Sequence, residues 1–198
     1  MFHVKHEGWT PGEFSPAQVV SLSRFEELLI VQAVPRGMVA VSDAGDLHTR
    51  HILDSLRAVP HISAGAERIA DLGSGAGLPG LPVAVARPDL EVTLAEPRQA
   101  RAAFLELAVQ TLRLPNVQVF PQPAEELASG FDVCLARGFG DVRRSWVVAR
   151  DLLDPAGDLI YWAGRTFKTD HTPPDVRVRG LGEPTLESGG PIVIMTRQ

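Results

Sequence analysis

The spacing of apolar residues in the first third of the chain predicts helices. Ser15 followed by Pro16 is typical of a helix start, because serine caps helix ends and proline fits the first helical position. The apolar residues that follow recur at near-helical spacing: Val19, Val20, Leu22, Phe25, Leu28 and Leu29. The segment 35–37 contains proline and glycine and ends this helix, and a second helix is predicted from residue 42 or 43 to residue 59.

From residue 68 the pattern changes to short apolar runs that alternate with helical patterns. The predicted strands are 68–72, 90–95, 117–120, 131–136 and 158–163. The predicted helices are 80–86, 97–112 and 142–153, with a short turn at 124–128. This alternation predicts an α/β fold, with a parallel sheet covered by helices on both faces. We therefore expect a lead-in and helical cap at 1–62 and an α/β domain at 63–198, together one compact unit.

The alternation weakens after the fifth predicted strand. Residues 166–174 are too few and too rich in proline for a full crossover helix. Two further strands are predicted at 176–181 and 191–196, joined by a connection rich in glycine, serine and glutamate.

A glycine-rich loop follows the first predicted strand and opens a helix. It reads Asp71-Leu72-Gly73-Ser74-Gly75-Ala76-Gly77-Leu78-Pro79-Gly80. Glycines let backbone pass close to a ligand, and ligands of open α/β sheets bind at the carboxyl ends of the strands. The loop therefore predicts a binding site for a nucleotide-like cofactor.

Two classes of cofactor compete for this loop. It matches the dinucleotide pattern G-x-G-x-x-G through Gly75, Gly77 and Gly80. Two features favour S-adenosylmethionine instead. Asp71 lies two residues before the first glycine, as in the methyltransferase form D-x-G-x-G-x-G, and Pro79 lacks the N–H that a pyrophosphate would use.

Two carboxylates near the ends of the next two predicted strands could contact the cofactor. Glu96 ends the second predicted strand, where a carboxylate can accept both ribose hydroxyls in either class of site. The alternative is an acid that caps the helix beginning at Pro97. Glu125 follows the third strand and favours S-adenosylmethionine, although it could also be part of a charged helix start.

These residues and their order resemble the glucose-inhibited division protein B family over about residues 25 to 164. The matching segments are His51-Ile52-Leu53-Asp54-Ser55-Leu56, the glycine loop, Glu96-Pro97-Arg98, Arg101 to Glu106, Leu114-Pro115-Asn116-Val117, Ala124-Glu125-Glu126-Leu127 and Phe131 to Arg137. One departure is Trp162-Ala163-Gly164, which stands where the family commonly has a lysine before the glycine.

The resemblance implies a Rossmann-like methyltransferase sheet with an N-terminal helical cap. It also implies a cytoplasmic enzyme that methylates N7 of a guanine in small-subunit ribosomal RNA, either free or in the assembled subunit. The implied contacts to S-adenosylmethionine are Gly73, Leu78, Ala124, Glu125 and Arg137, to which the loop adds Gly75 and Gly77 and the second strand adds Glu96.

Composition excludes several other classes of protein. The single cysteine, Cys134, rules out an intrachain disulfide framework and a cysteine zinc cluster, and the six histidines lack metal-site spacing. No apolar run approaches the roughly 20 residues that span a bilayer, and the first nine residues contain no export signal. The formal net charge of −5 is unusual for a nucleic-acid-binding protein, so RNA binding requires a local basic patch. We expect a monomer.

Methylation of guanine N7 needs no general base, because that nitrogen has a lone pair and no proton. We therefore predict no catalytic residue and no metal, and we predict that Cys134 is a buried, inert thiol. His51 and Asp54 share one face of a helix, where we favour a hydrogen bond that holds the cap. Phe139 is equally consistent with stacking on a base and with core packing.

Three other functions remain open at the level of sequence. The acidic net charge suits a methyltransferase of a small molecule or protein. The glycine pattern permits an NAD-linked oxidoreductase, and the missing lysine permits a protein that binds S-adenosylmethionine without catalysis.

Overall fold

The computed structural model describes residues 14–182 and 190–198. The predicted lead-in up to residue 13 and most of the connection before the last strand lie outside the described residues. The first helix, α1, runs from Pro16–Leu28 and continues as a wider π-helical turn over Leu29–Ala33. Ser15 and Gln18 form a capping box at its start, because each side chain bonds to the other's backbone N–H. The predicted helix start is confirmed.

The second part of the cap is broken into short pieces, and the prediction of one continuous helix was wrong. A 3-10 turn covers Val41–Asp43, and a π-helical turn over His48–Leu53 leads directly into α2 at Asp54–Leu56. A 3-10 turn at Val59–His61 follows. Gly45 lies in the break between the first two pieces, where its backbone freedom disfavours a continuous helix.

The rest of the chain forms one seven-stranded sheet. Its strands are β1 (Arg68–Leu72), β2 (Glu91–Ala95), β3 (Val117–Phe120), β4 (Phe131–Ala136), β5 (Leu153–Trp162), β6 (Val176–Gly182) and β7 (Ile192–Arg197). The helices between them are α3 (Gly80–Ala86), α4 (Gln99–Leu112) and α5 (Val142–Leu152). The strand order is β3-β2-β1-β4-β5-β7-β6, and β7 runs in the direction opposite to the other six strands. The predicted α/β fold with a largely parallel sheet is confirmed.

The predicted strand bounds hold closely for all but the fifth strand. β5 begins at Leu153, directly after α5, rather than at Asp158. Its first residues pair irregularly with β4, with a register shift between Phe131 and Val133, and 154–156 are exposed. No apolar run marks such a segment in the sequence. The predicted lack of a crossover helix after β5 is confirmed, since the described chain there has only a 3-10 turn at Thr169–His171.

The helical cap shares a hydrophobic core with one face of the sheet. Phe25 and Ile52 from the cap belong to the same buried cluster as Leu81 of α3 and Leu94 of β2. The Gln18 side-chain amide also donates to the carbonyls of Val85 and Ala86, at the last turn of α3. These contacts hold the cap against the side of the sheet that carries α3.

The next three sequence predictions concern the cysteine, metal binding and membrane-spanning helices. Cys134 is fully buried, and burial raises the pKa of its thiol far above the usual range, so its prediction as an inert thiol is supported. Within 14–182 and 190–198, no group of three His, Cys, Asp or Glu side chains is placed to hold a metal. No described helix is long and apolar enough to cross a membrane.

Candidate functional site

The glycine loop leaves β1 at Leu72 and passes under the ring of Phe139. Gly73 has a φ of 67°, and a Cβ at this position would lie 2.8 Å from Cδ2 of Phe139. Only glycine fits both the backbone conformation and the ring above it. Phe139 is half-buried in this contact, which supports packing rather than a free surface for stacking on a base.

The acid at the end of β1 holds the loop to α3. Asp71 is buried, and its Oδ2 accepts a hydrogen bond of 3.1 Å from the N–H of Gly80. A Cβ at Gly80 would lie 2.6 Å from Asp71 Oδ2 and 2.4 Å from Cδ2 of Leu94. Burial raises the pKa of Asp71 to about 7, and its Oδ1 has no hydrogen-bond partner among the described residues. Asp71 therefore sets the approach of the helix to the sheet.

The first turn of α3 has no N–H group left for a pyrophosphate. The N–H of Gly80 is bound by Asp71, and that of Leu81 donates to the carbonyl of Gly77. Pro79 and Pro82 have no N–H at all. A dinucleotide site uses these donors to bind its pyrophosphate, so the geometry opposes the NAD-linked alternative.

The carboxylate after β2 is bound to the glycine loop. Glu96 is 3% exposed; its Oε2 accepts from the N–H of Gly75 at 3.0 Å, and its Oε1 accepts from the N–H of Arg98 at 2.9 Å. Each carboxylate oxygen can accept a second bond, so Glu96 retains acceptor capacity for ligand hydroxyls. Its bond to the Arg98 N–H, just before α4, also agrees with the alternative role as a helix cap.

A cavity of about 290 Å³ lies between the glycine loop and the cap. The loop contributes Gly73 to Ala76 and Leu78, the cap contributes Met38 to Ala40 and His51, and Arg101, Arg137 and Gly138 complete the wall. We call this space the loop cavity. It lies at the carboxyl ends of β1 and β4, where ligands of open α/β sheets bind.

Arg137, at the end of β4, binds the helical cap across this cavity. Its guanidinium donates to the carbonyl of Arg50 at 2.8 Å, lies 3.0 Å from Nδ1 of His51 and pairs with Asp54 at 3.4 Å. Burial, followed by the charge of Arg137, lowers the pKa of His51. His51 also bonds to Asp43 at 3.2 Å. His51 and Asp54 thus hold the cap, as the sequence favoured.

The remaining predicted residues lie farther along the same edge of the sheet. Ala124 is buried in the 3-10 turn after β3, and Glu125 beside it is exposed. Glu125 pairs with Arg144 of α5 at 3.0 Å, and the Arg144 guanidinium lies 5.4 Å from the centre of the Phe139 ring. This layer of three side chains connects β3, β4 and α5.

The structure brings only part of the predicted set into one cavity. Gly73, Gly75, Leu78 and Arg137 line the loop cavity, and Glu96 contacts it through Gly75. The others do not line it: Gly77, Ala124 and Glu125. Sequence reasoning missed the cap residues Met38 to Ala40 and gave Arg101 no role. Nothing in the apolar pattern marks 38–40 as part of a site, because the cap reaches the loop only through tertiary packing.

Comparison with known proteins gives the family. The family model described as GidB, rRNA small subunit methyltransferase G, matches residues 18–175. Ribosomal RNA small subunit methyltransferase G of Xanthomonas axonopodis pv. citri is 39% identical over 145 residues, which are 72% of this chain and 68% of that protein. The protein of the same name from Nitrosomonas eutropha is 36% identical, over 75% of this chain and 72% of its own.

Solved structures show the same fold at low sequence identity. A mutant of MtNAS in complex with S-adenosylmethionine superimposes with a TM-score of 0.62 at 16% identity, covering 90% of this chain and 72% of that chain. The resemblance seen in the sequence is therefore confirmed by relatives that match most of its length. The chain belongs to the GidB family, rRNA small subunit methyltransferase G.

Proposed function

We propose that this protein transfers a methyl group from S-adenosylmethionine to N7 of a guanine in small-subunit ribosomal RNA. The observation that carries the proposal is the loop cavity, built from the glycine loop in a chain whose relatives are named for this class of enzyme. The cavity lies where a methyltransferase sheet holds its cofactor, and the first turn of α3 opposes a dinucleotide there.

The residues at the loop cavity fit S-adenosylmethionine. Glu96 has acceptor capacity for the ribose hydroxyls, and the unpartnered, buried Oδ1 of Asp71 is a further acceptor behind the loop. The bound cofactor supplies a methyl group on a positively charged sulfur. We assign the cofactor contacts to Gly73, Gly75, Gly77, Leu78, Glu96, Ala124, Glu125 and Arg137.

The chemistry at N7 requires alignment rather than proton transfer. Guanine N7 accepts the methyl group with its own lone pair, so no side chain has to remove a proton. His51 is bound to Arg137 and Asp43, which agrees with a role in holding the cap. Positioning of two reactants can supply roughly 7–11 kcal/mol at best. The protein's contribution is therefore to hold the base and the cofactor in line.

Exposed cations at the carboxyl edge support an RNA substrate despite the net charge of −5. Four of them follow β2, β4 or β5 and form no ion pair with any described residue: Arg98, Arg143, Arg165 and Lys168. Cations clustered beside a site can bind phosphates even where the whole chain is acidic. We infer that ribosomal RNA, free or in the assembled small subunit, approaches this edge. We further propose that residues 1–62 form a lead-in and a helical cap, that residues 63–198 form the methyltransferase domain, and that the enzyme is a cytoplasmic monomer.

The test is methyl transfer to small ribosomal subunits that lack their modified guanines. Purified protein is incubated with labelled S-adenosylmethionine and such subunits, or their extracted RNA, and the labelled nucleotide is mapped. We expect label on N7 of one guanine. Glu96→Gln is the control for the cofactor site. Because it alters a proposed cofactor contact, it should transfer the methyl group more slowly than the wild type. Cofactor binding without transfer to subunits or RNA would overturn the ribosomal assignment, and no binding at all would overturn the reading of the glycine loop.

A further inference from the structure

A second cavity lies at the same edge of the sheet, beside α5. Its volume is about 330 Å³, and its walls include Asp141, Arg143, Tyr161, Thr166, Phe167 and His171. None of these residues was assigned a contact with the cofactor. We call this space the α5 cavity.

The α5 cavity and the loop cavity lie on either side of one short segment. Gly138 lines the loop cavity and Asp141 lines the α5 cavity, so residues 138–141 separate the two. The hydroxyl of Tyr161, on β5, donates to the carbonyl of Gly140 at 3.1 Å and holds this segment from beneath. A base bound in the α5 cavity would therefore lie beside this segment, which also borders the loop cavity.

Asp141 presents an unused carboxylate oxygen at this cavity. It caps α5, where its Oδ1 accepts from the N–H of Arg144 at 2.8 Å. Within 14–182 and 190–198, no hydrogen bond or ion pair engages its Oδ2. Burial and then the negative charge of Asp141 raise the pKa of Tyr161, which indicates that the Asp141 carboxylate lies near the cavity wall formed by Tyr161.

The other walls combine aromatic surface with positive charge. The rings of Phe167 and His171 meet edge to face, with their centres 6.2 Å apart. Aromatic side chains bind unpaired bases by stacking. Arg143 at the rim is exposed and forms no ion pair with the described residues, so it is free to contact a phosphate.

We propose that the α5 cavity binds the target guanine and that Asp141 selects it by accepting hydrogen bonds from guanine N1–H and N2–H. This inference rests on the proposed function, because it assigns the substrate pocket of that reaction. N1 and N2 lie on the Watson–Crick edge, opposite N7, so a base held by Asp141 turns N7 away from it. Adenine has an acceptor at N1, which a carboxylate repels. The pocket therefore selects guanine, with Asp141 as a specificity-determining residue.

The experiment compares Asp141→Asn with the wild-type protein on two substrates. Asparagine caps helices as well as aspartate does, so α5 is retained with the amide oxygen in the place of Oδ1. The amide N–H₂ then takes the place of Oδ2 and opposes the N2 amine of guanine. Small subunits are reconstituted with RNA that has either guanosine or inosine at the methylated position; inosine lacks the N2 amine. Asp151→Asn, which removes a 73% exposed carboxylate from the last turn of the same helix, is the control.

For Asp141→Asn we expect kcat/KM on guanosine to fall roughly 10- to 100-fold, with affinity for S-adenosylmethionine unchanged. Inosine should lower the wild-type kcat/KM by a similar order but should lower that of the variant much less, because the lost contact is the same one. Asp141→Ser, which retains a capping oxygen, should behave like Asp141→Asn.

Two results would overturn this assignment while leaving the proposed function intact. One is a kcat/KM for Asp141→Asn within twofold of both the wild type and Asp151→Asn. The other is a decrease in kcat/KM, on replacing guanosine by inosine, that is the same factor for the variant and for the wild type. If the wild-type protein transfers no methyl group to guanine at all, the proposed function itself is wrong.

Discussion

The guanidinium of Arg137, at the end of β4, lies 3.4 Å from the carboxylate of Asp54 in the helical cap. The same guanidinium donates to the carbonyl of Arg50, and the indole of Trp162 on β5 donates to the carbonyl of Asp54 at 3.1 Å. Two neighbouring strands thus hold one turn of the cap over the loop cavity. Trp162 belongs to the segment Trp162-Ala163-Gly164, where the sequence departs from the family pattern, and its indole is part of this attachment.

Removal of the Arg137 charge should loosen the cap. Arg137→Met leaves Asp54 partly buried with one ion-pair partner fewer, and we expect the free energy of unfolding to fall by about 2–3 kcal/mol. Amide hydrogen exchange over 48–56 should become faster than in the wild type. Arg143→Met is the matched control, because Arg143 is exposed and should change stability by no more than about 0.5 kcal/mol. Unchanged exchange in 48–56 would show that the cap does not depend on Arg137.

The contact between α3 and β1 should not tolerate one additional carbon. In Gly80→Ala, the new Cβ would meet Leu94 Cδ2 at 2.4 Å and Asp71 Oδ2 at 2.6 Å, so helix or strand must shift. We expect a loss of about 2–3 kcal/mol in urea unfolding. At Gly45 a Cβ would meet nothing within 4 Å, so Gly45→Ala should be neutral or slightly stabilising. Similar midpoints for the two variants would contradict this account of the glycine loop.

The sequence predicted β1, β3 and β4 to the residue because each is a short apolar run bounded by polar or glycine-rich segments. Burial of both faces of a parallel sheet explains the runs of β1 and β4. β3 is a half-buried edge strand, in which the exposed Gln118 interrupts the apolar residues. The early start of β5 could not be predicted, because the first residues of this strand are exposed and pair irregularly with β4. The sequence likewise predicted where the glycine loop would lie.

The partners of Arg137 could not be predicted from local patterns. Its hydrogen bonds reach residues 86 and 87 positions away, and nothing in the spacing of His51 and Asp54 names an arginine after β4. The resemblance placed Arg137 at the cofactor; the structure places it at the loop cavity wall but bound to the cap. Arg137 can contact the cofactor and the cap together, because a guanidinium has five N–H donors.

The buried acid at the end of β1 should make stability depend on pH near neutrality. The pKa of Asp71 is raised from 3.8 to about 7 in the folded protein, so the folded state binds the proton more tightly than the unfolded state. This contribution to stability is present at low pH and is lost as pH rises towards 7. The Asp71→Asn variant has no titrating carboxyl group at this position, so it lacks this pH-dependent contribution.

We therefore expect the stability difference between wild type and Asp71→Asn to shift in favour of the variant between pH 5 and pH 8. Urea unfolding at pH 5, 6.5 and 8 measures it. Asp89→Asn is the control, because the hydrogen bond from Arg87 lowers the pKa of Asp89 and its titration ends below this range. Parallel pH curves for the wild type and Asp71→Asn would show that Asp71 does not titrate near neutrality.

Glu96 should bind the ribose of the cofactor as well as the glycine loop. Glutamine at this position can still accept one of the two backbone bonds, from Gly75 or from Arg98, but it presents an N–H₂ group to the other. We expect Glu96→Gln to weaken binding of S-adenosylmethionine roughly 10- to 100-fold in calorimetry, the range for a lost bond to a charged group. Glu91→Gln, at the exposed start of β2, should bind as the wild type does.

An analogue of the cofactor that lacks both ribose hydroxyls separates the two roles of Glu96. If the carboxylate binds those hydroxyls, the wild type should bind the analogue weakly. Glu96→Gln should then weaken binding of the analogue by a smaller factor than binding of S-adenosylmethionine. If Glu96 only holds the loop, the variant should lose affinity for the analogue and for S-adenosylmethionine by the same factor. Equal losses would therefore assign Glu96 to the loop alone, because a lost ribose contact cannot weaken a ligand that has no ribose hydroxyls.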